Sequence, residues 1–417
     1  VKQKKIIDEK KMSALFPPSN NSSEQQNNNN NNSSNNYNKV QTLRSLHIDY
    51  VHDIAFDHYG RRIATCSGDR TVKVWDLSDD GEWTFRPGTG SEWSAHRGSV
   101  CRLSWAHPEF GQLLATCGTD HAVSVWEERE GSGLSLIGGD TSSMLNPTSY
   151  SGASTAPPPG MSPTAATRWV SKATLTDARR AVTCLEFAPR HLGLRLATGS
   201  ADGVVRIYEA IDVMNLNHWA INGSIDVEDV DGAGFAGGAL AEATLGVSCL
   251  SWCTGKFEPP TLVVGGSSGR VVVYRYSDAS RQWGVLLTLP GHSRGVLDVS
   301  WSPNVGRGYH LVASCGKDGI LRVYRLKRGR YGGAASQTNN KKQSASSLAS
   351  SSSLELEKHQ VLEKGTSEVW RCQWNVTGTV LASSGDGGVV RLWKSDFRNE
   401  WKCVSELRGD VSPSVMQ

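Results

Sequence analysis

Residues 291–326, GHSRGVLDVSWSPNVGRGYHLVASCGKDGILRVYRL, hold three short apolar runs: Val296 to Trp301, His310 to Cys315 and Ile320 to Tyr324. Each run alternates or is β-branched, and Gly, Pro, Asn and Asp break the chain between them, as expected of short strands joined by turns. The stretch opens with Gly-His, and an aromatic, Tyr324, stands six residues after Asp318. Three strands of this length cannot bury both of their faces, so the unit requires neighbours like itself. Those neighbours are present. An aromatic, a gap, Ser or Thr, three residues, Asp, five residues and Trp or Tyr recur in imperfect copies along the chain. A repeat of this kind predicts an all-β propeller.

Six copies can be counted. The first runs from His47 to Trp75, with a fourth strand expected between Trp83 and Trp93, and the second from His96 to Trp126. The third spans Ala181 to Tyr208, and the fourth runs from Val247 to Tyr274 with Trp283 to Leu289 as its fourth strand. The stretch at 291–326 is the fifth. The sixth, Val369 to Trp393, is followed by Glu400 to Leu407 as its fourth strand. Arg168 to Leu175 reads as the fourth strand of the second unit.

Between these units the composition changes. Residues 1–39 carry KQKK and then a Ser/Asn/Gln-rich tract with Asn at every position from 27 to 32. Such a segment buries too little apolar surface to offset the entropy of ordering, so it is expected to be a disordered tail. Met12 is read as a native start, which would make residues 1–11 an extension. Gly, Ser, Pro and Ala dominate 130–166, 222–242 and 330–353, which are expected as disordered insertions in a propeller spanning 40–410, with 411–417 as a short tail.

A fixed polar set recurs with the repeats. His47, Thr65, Asp69 and Trp75 occupy it in the first, and His96, Thr116, Asp120 and Trp126 in the second. His292, Ser314, Asp318 and Tyr324 occupy it in the fifth. A His, a hydroxyl and a carboxylate invite a catalytic reading. Recurrence at the period of the repeat argues instead for a structural tetrad, since a catalytic site is not copied around a ring. The third repeat keeps Thr198 and Asp202 but has Ala178 in the His place. The fourth has Val264 and Ser268, and the sixth keeps Ser383 with Asp386 displaced by one residue. Gly265 to Gly269 lies between strands, so it reads as a turn rather than a phosphate loop. Arg61 and Arg307 read as solvated loop charges. No catalytic, cofactor-binding or metal-binding residue is expected, and the chain is read as a non-enzyme.

Fourteen Trp and 43 Gly suit a propeller, with aromatics in blade cores and glycines at tight turns. A formal net charge of +3 argues against nucleic acid as the main partner. The nine cysteines show no CxxC or metal-ligand spacing and fall mostly inside strands, as buried reduced thiols do. No apolar run approaches the ~18 residues that a membrane span needs.

If each of six units supplies four strands from contiguous sequence, neither terminus lends a strand to the other, unless Val40 to Leu46 takes that role. The ring then stays open between its first and last blades. Apolar flanks are not left bare in native proteins, so a partner is expected in the slot. Val51, Ile54 and Phe56 from one side and Val369, Trp370 and Trp374 from the other are the expected slot residues.

The wording VHDIAFDHYGRRIATCS, FAPRHLGLRLATGSADGVVRIYEA and EVWRCQWNVTGTVLASSGDGGVVRLWK resembles the Seh/Sec family of WD-repeat scaffold proteins over residues 47–407 outside the insertions. The third-repeat wording, with Leu216 to Trp219 after it, is closer to the nucleoporin branch than to the COPII-type vesicle-coat branch, which is the alternative. The resemblance implies an open six-bladed propeller completed in trans. Its donor would be a helical ancestral-coatomer-element nucleoporin contributing a β-blade. Other nucleoporins of the Y-shaped nuclear pore scaffold would be partners, supporting transport of mRNA and protein. It further implies membership of the SEA/GATOR complex at the vacuole or lysosome, which regulates TOR signalling.

Overall fold

The computed structural model describes residues 43, 45–85, 90–130, 167–227, 246–329, 353–365 and 367–408. Both expected tails, residues 40–42 and nearly all of the three expected insertions lie outside the described residues.

Every sheet is built from contiguous sequence. Blade one contains β1 (Val51–Phe56), β2 (Arg62–Ser67) and β3 (Thr71–Leu77), and its outer edge is split into β4 (Trp83–Thr84) and β5 (Glu92–Ser94). Blade two contains β6 (Val100–Trp105), β7 (Leu113–Gly118), β8 (Val123–Glu130) and β9 (Thr167–Leu175). Blade three contains β10 (Val182–Phe187), β11 (Arg195–Ser200), β12 (Val204–Ala210) and β13 (Trp219–Asp226). Blade four contains β14 (Val247–Trp252), β15 (Thr261–Gly266), β16 (Val271–Ser277) and β17 (Gln282–Leu289). Blade five contains β18 (Val296–Trp301), β19 (Tyr309–Gly316), β20 (Ile320–Arg328) and β21 (Leu354–Lys364). Blade six contains β22 (Val369–Trp374), β23 (Val380–Gly385), β24 (Val389–Ser395) and β25 (Trp401–Arg408). All pairings are antiparallel, and no α-helix occurs among the described residues. The protein is an all-β, six-bladed propeller.

One boundary needs correction. The insertion expected from residue 222 begins later, because β13 continues through Asp226 and pairs with β12 along its length. Most of its side chains are exposed, as on an outer strand, and only Ile225 is buried, so the segment lacks the alternation that marks an inner strand.

The turn between the second and third strands requires a residue with positive φ. Gly203, Gly269, Gly319 and Gly388 supply it in four blades, while Arg70 (φ 71°) and His121 (φ 66°) adopt it in the first two. At Gly319 a Cβ would stand 2.5 Å from the Gly365 carbonyl oxygen, so a side chain is excluded there by space as well as by conformation.

The core lies between blades rather than within them. Cys66, Val72 and Val74 of blade one meet Val100, Leu103 and Leu114 of blade two. Comparable clusters join blades two and three, three and four, four and five, and five and six. Among the described residues there is no such cluster between blades six and one. Ile207 and Val323, which face the next blade, are almost wholly buried, whereas Leu392 at the same place in blade six is partly exposed. Ile207→Ala should therefore cost about 2–5 kcal/mol, as deletions in a packed core do, and Leu392→Ala less than about 1 kcal/mol. Denaturant unfolding of the isolated chain measures both. Equal losses would mean that the sixth blade is covered as fully as the others.

Candidate functional site

All three expected tetrads are assembled. His47 Nε2 and Nδ1 each lie 2.9 Å from their partners, Thr65 Oγ1 and Asp69 Oδ2, and the Trp75 indole donates to Thr65 at 3.4 Å. In blade two His96 meets Thr116 at 2.8 Å and Asp120 at 3.0 Å, and Trp126 donates to Thr116 at 3.0 Å. In blade five His292 meets Ser314 at 2.7 Å and Asp318 at 2.9 Å, while the Tyr324 hydroxyl lies 3.0 Å from Ser314 and donates to the Pro290 carbonyl at 2.6 Å. One proton arrangement satisfies each Trp-containing set: indole N–H to hydroxyl, hydroxyl to imidazole Nε2, and Nδ1–H to carboxylate. It requires a neutral imidazole. Burial accordingly lowers the His47, His96 and His292 pKa values, against the opposing pull of their aspartates. Burial pushes Asp69 up, but hydrogen bonds from Thr71, Ile48 and His47 outweigh it and bring the carboxyl down to about 2. The tetrad atoms are spent on one another.

The degenerate blades find other partners that the sequence did not disclose. In blade three Tyr208 donates to Asp177, next to the Ala178 that stands in the His place. In blade six Trp393 donates to Ser383 at 3.0 Å, and Ser383 reaches Glu363, which also pairs with Arg391. Among the described residues blade four has no such set, and the buried Tyr274 hydroxyl has no hydrogen-bond partner. Its polar anchor lies at another place: Glu258 pairs with Arg275 at 2.9 Å and with Arg328 and His310 of blade five. Arg307 is a correction. It is not a solvated loop charge, because it donates to the Gly378 carbonyl at 2.8 Å and to Ser302, tying a blade-five loop to blade six.

The inner strands line the ring, and each closed junction carries one bond of a single type. A side chain on one inner strand accepts a backbone N–H from the next. Asp53 accepts from Leu103 at 3.1 Å, Ser104 from Phe187 at 3.2 Å and Glu186 from Trp252 at 2.9 Å. Ser251 accepts from Trp301 at 3.1 Å and Asp298 from Cys372 at 3.1 Å. Numbered along each six-residue strand, an acceptor at position three takes the fourth amide of its neighbour, and an acceptor at position five takes the sixth. Arg102 reaches across the axis to Asp298 at 3.1 Å and approaches Asp53 at 3.9 Å. Burial works against its charge, and the two carboxylates more than offset that cost.

The junction from blade six to blade one is different. No side chain of blade six takes an amide of β1 among the described residues. Arg371, at position three, instead donates to the His52 carbonyl at 2.8 Å and lies 3.5 Å from Asp53. Gln373, at position five, is exposed. Behind them, Ala382, Val390 and Leu392 of blade six and Ile54 and Phe56 of blade one are only partly buried. These five residues and the two polar ones form an open seam.

Half of the expected slot residues face it. Val51, Ile54 and Phe56 occupy the positions that in other blades point toward the preceding blade, which for blade one is the seam; Phe56 also packs on Trp83 at 5.9 Å. Val369 and Trp374 do not. They are buried in the cluster with blade five, and the Trp374 indole donates to the Ser300 carbonyl. Trp370 is exposed and donates to Asp386. The ring has a rotational sense, so matching positions on two inner strands point the same way around it and not toward each other. A bulge at the second residue of each inner strand, here between Val369 and Arg371, further shifts the alternation.

Residues 38–76, 89–127, 169–209, 283–325 and 355–394 match the WD domain, G-beta repeat family. The interval left unmatched contains the three inner strands of blade four, whose tetrad is missing. Across the whole chain, Nucleoporin SEH1 of Xenopus tropicalis is 38% identical over 375 residues, covering 88% of each chain. Nucleoporin SEH1 of Danio rerio is 38% identical over 375 residues, 88% of this chain and 86% of its own. Nucleoporin SEH1 of Homo sapiens is 37% identical over 375 residues, 88% of each.

Asp120→Ala leaves His96 and the Arg97 amide without a buried acceptor and should lower stability by about 1–3 kcal/mol. A folded variant with an unchanged unfolding midpoint would contradict a structural role. The tetrads also set a pH dependence. His and Asp pKa values are both lowered on folding, so their contribution is intact above the unfolded His value of 6.5. It should fall as the pH drops below that value, and further below the ordinary Asp value of 3.8. Urea unfolding of the parent and of Asp120→Ala from pH 8 to pH 3 measures this, because the difference removes the contribution of Glu186, whose carboxyl burial pushes up to about 7; a difference that grew on acidification would have the wrong sign.

Proposed function

The chain belongs to the SEH1 family of WD-repeat nucleoporins, and on that premise we propose that its open seam receives a β-blade from a helical nucleoporin, making it a scaffold subunit of the nuclear pore. The observation that carries this is the contrast between junctions. Five have a continuous apolar core and a side chain-to-amide bond, and the sixth has neither among the described residues. An incoming blade packs its face over Ile54, Phe56, Val390 and Leu392, as each blade of the ring packs on the next. Obligate interfaces of this kind bury on the order of 2,000 Å² or more.

In this role the chain acts by binding, with its polar sets consumed in holding the blades. The Y-shaped pore scaffold, and through it the passage of mRNA and protein, is the assembly the SEH1 relationship favours. The same seam is available to a second helical partner in a SEA/GATOR-type complex acting on TOR signalling at the vacuole or lysosome.

Ile54→Asp places a charge on the seam wall without entering a closed junction. Co-expressed with the helical nucleoporin, the folded variant should lose capture by at least about tenfold, since a buried unpaired charge is costly. Val404→Asp, on the exposed outer strand β25, should leave capture intact. Undiminished capture by folded Ile54→Asp would place the partner elsewhere.

A further inference from the structure

We infer that the seam reads its occupant through the same side chain-to-amide rule that builds the five closed junctions. Gln373 is the receiving acceptor on blade six, and the incoming inner strand must itself carry an acceptor, Asp, Glu or Ser, for an amide of β1. This rests on the blade-completion reading above and specifies which chemistry satisfies it.

The rule leaves little freedom. At position three the acceptors are Asp53 and Asp298, and at position five they are Ser104, Glu186 and Ser251. Blade six has Arg371 at position three. A guanidinium has no acceptor, so it has turned to the His52 carbonyl and Asp53 instead. That leaves position five. Gln373 has an amide oxygen there, and it is exposed where its counterparts in blades two to five are at least half-buried and engaged or close-packed. By the register of the other position-five acceptors, Gln373 takes the sixth amide of the incoming inner strand.

The other wall gives the complementary requirement. Asp57 N–H bonds back to Arg62 of β2, so by the alternation of an antiparallel pair the Ile54 and Phe56 amides point away from β2, to the free inner edge where the other blades receive a side chain of the preceding blade. Leu103 and Cys372, at the Ile54 position, and Phe187, Trp252 and Trp301, at the Phe56 position, all have a side-chain acceptor from the preceding blade. Among the described residues neither the Ile54 nor the Phe56 amide has one. An incoming strand with an acceptor at its third residue serves Ile54, and one with an acceptor at its fifth serves Phe56. The indoles add a further feature: Trp105, Trp252 and Trp374 each donate to the position-five carbonyl of the preceding blade at 3.1 Å. A Trp at the sixth residue of the incoming strand would meet the Gln373 carbonyl in the same way. The occupant is therefore a β-segment with an acidic or hydroxyl residue at the third or fifth place of its inner strand and an aromatic residue at the sixth.

The test uses the full chain with the recombinant β-rich segment of the helical nucleoporin as probe. Gln373→Leu should bind about tenfold more weakly, the size of one lost hydrogen bond, and Gln373→Glu, which keeps an acceptor, should bind within about threefold of the parent. Gln373 is exposed in the free chain, so both variants should fold. Amide hydrogen exchange resolved along β1 provides the second arm. Ile54 or Phe56 should exchange rapidly in the free chain and slow by at least about a hundredfold on binding, as an amide gaining a buried acceptor does. Parent-like binding by Gln373→Leu, or unchanged exchange at both amides in a saturated complex, would overturn the inference while leaving blade completion standing. No binding by the parent chain would overturn blade completion itself.

Discussion

No blade of this protein has a core of its own. A four-stranded twisted sheet has two faces, and each is buried only because the next sheet packs against it. Cys66, Val72 and Val74 reach almost zero exposure because blade two lies over them, and Leu321 and Val323 because blade six does. The dependence is mutual at each closed junction, and it accounts for both the regularity of five junctions and the incompleteness of the sixth. At Ala382, Val390 and Leu392 the same residue types occupy the same places, and only the neighbour is missing.

Polar groups fix what apolar packing leaves loose. Packing of small β-branched residues would tolerate sliding between sheets, whereas the bond from Asp53 to the Leu103 amide or from Ser251 to the Trp301 amide sets one register. The tetrads act on a second scale, tying the loop that enters blades one, two and five to the turn between the middle strands of each. Arg102 joins opposite sides of the axis through Asp298, whose second oxygen holds the Cys372 amide, so the blade bordering the seam is anchored from across the ring. Arg371 stands where blades one and five carry an aspartate acceptor, and it meets blade one only by donating to the His52 carbonyl and approaching Asp53.

Strand order, blade count and the three full tetrads were legible in the sequence because each recurs. Trp75, Trp126 and Tyr324 keep fixed spacing from their hydroxyls, and repetition turns spacing into geometry. What was not legible occurs once. Glu363 replaces a histidine from the end of an outer strand, at a distance from Ser383 that no spacing rule anticipates. β13 was hidden because an outer strand with one buried side chain carries almost no hydrophobic alternation. The seam was legible as an opening, but not as a surface. Val369 and Trp374 look like wall residues until the rotational sense of the ring and the bulge in β22 turn them toward blade five. The residues that face the opening, Arg371, Gln373 and Leu392, are a cation, an amide and an ordinary strand leucine, and nothing in their types singles them out.

An electron cryomicroscopy reconstruction of the chain bound to its helical partner would test the open ring most directly. The account predicts a seventh sheet, contributed by the partner, between β22 and β1, with Ile54 and Leu392 buried beneath it. Density showing residues 40–46 paired to blade six, or β1 packed directly on β22 with the partner bound elsewhere, would contradict it.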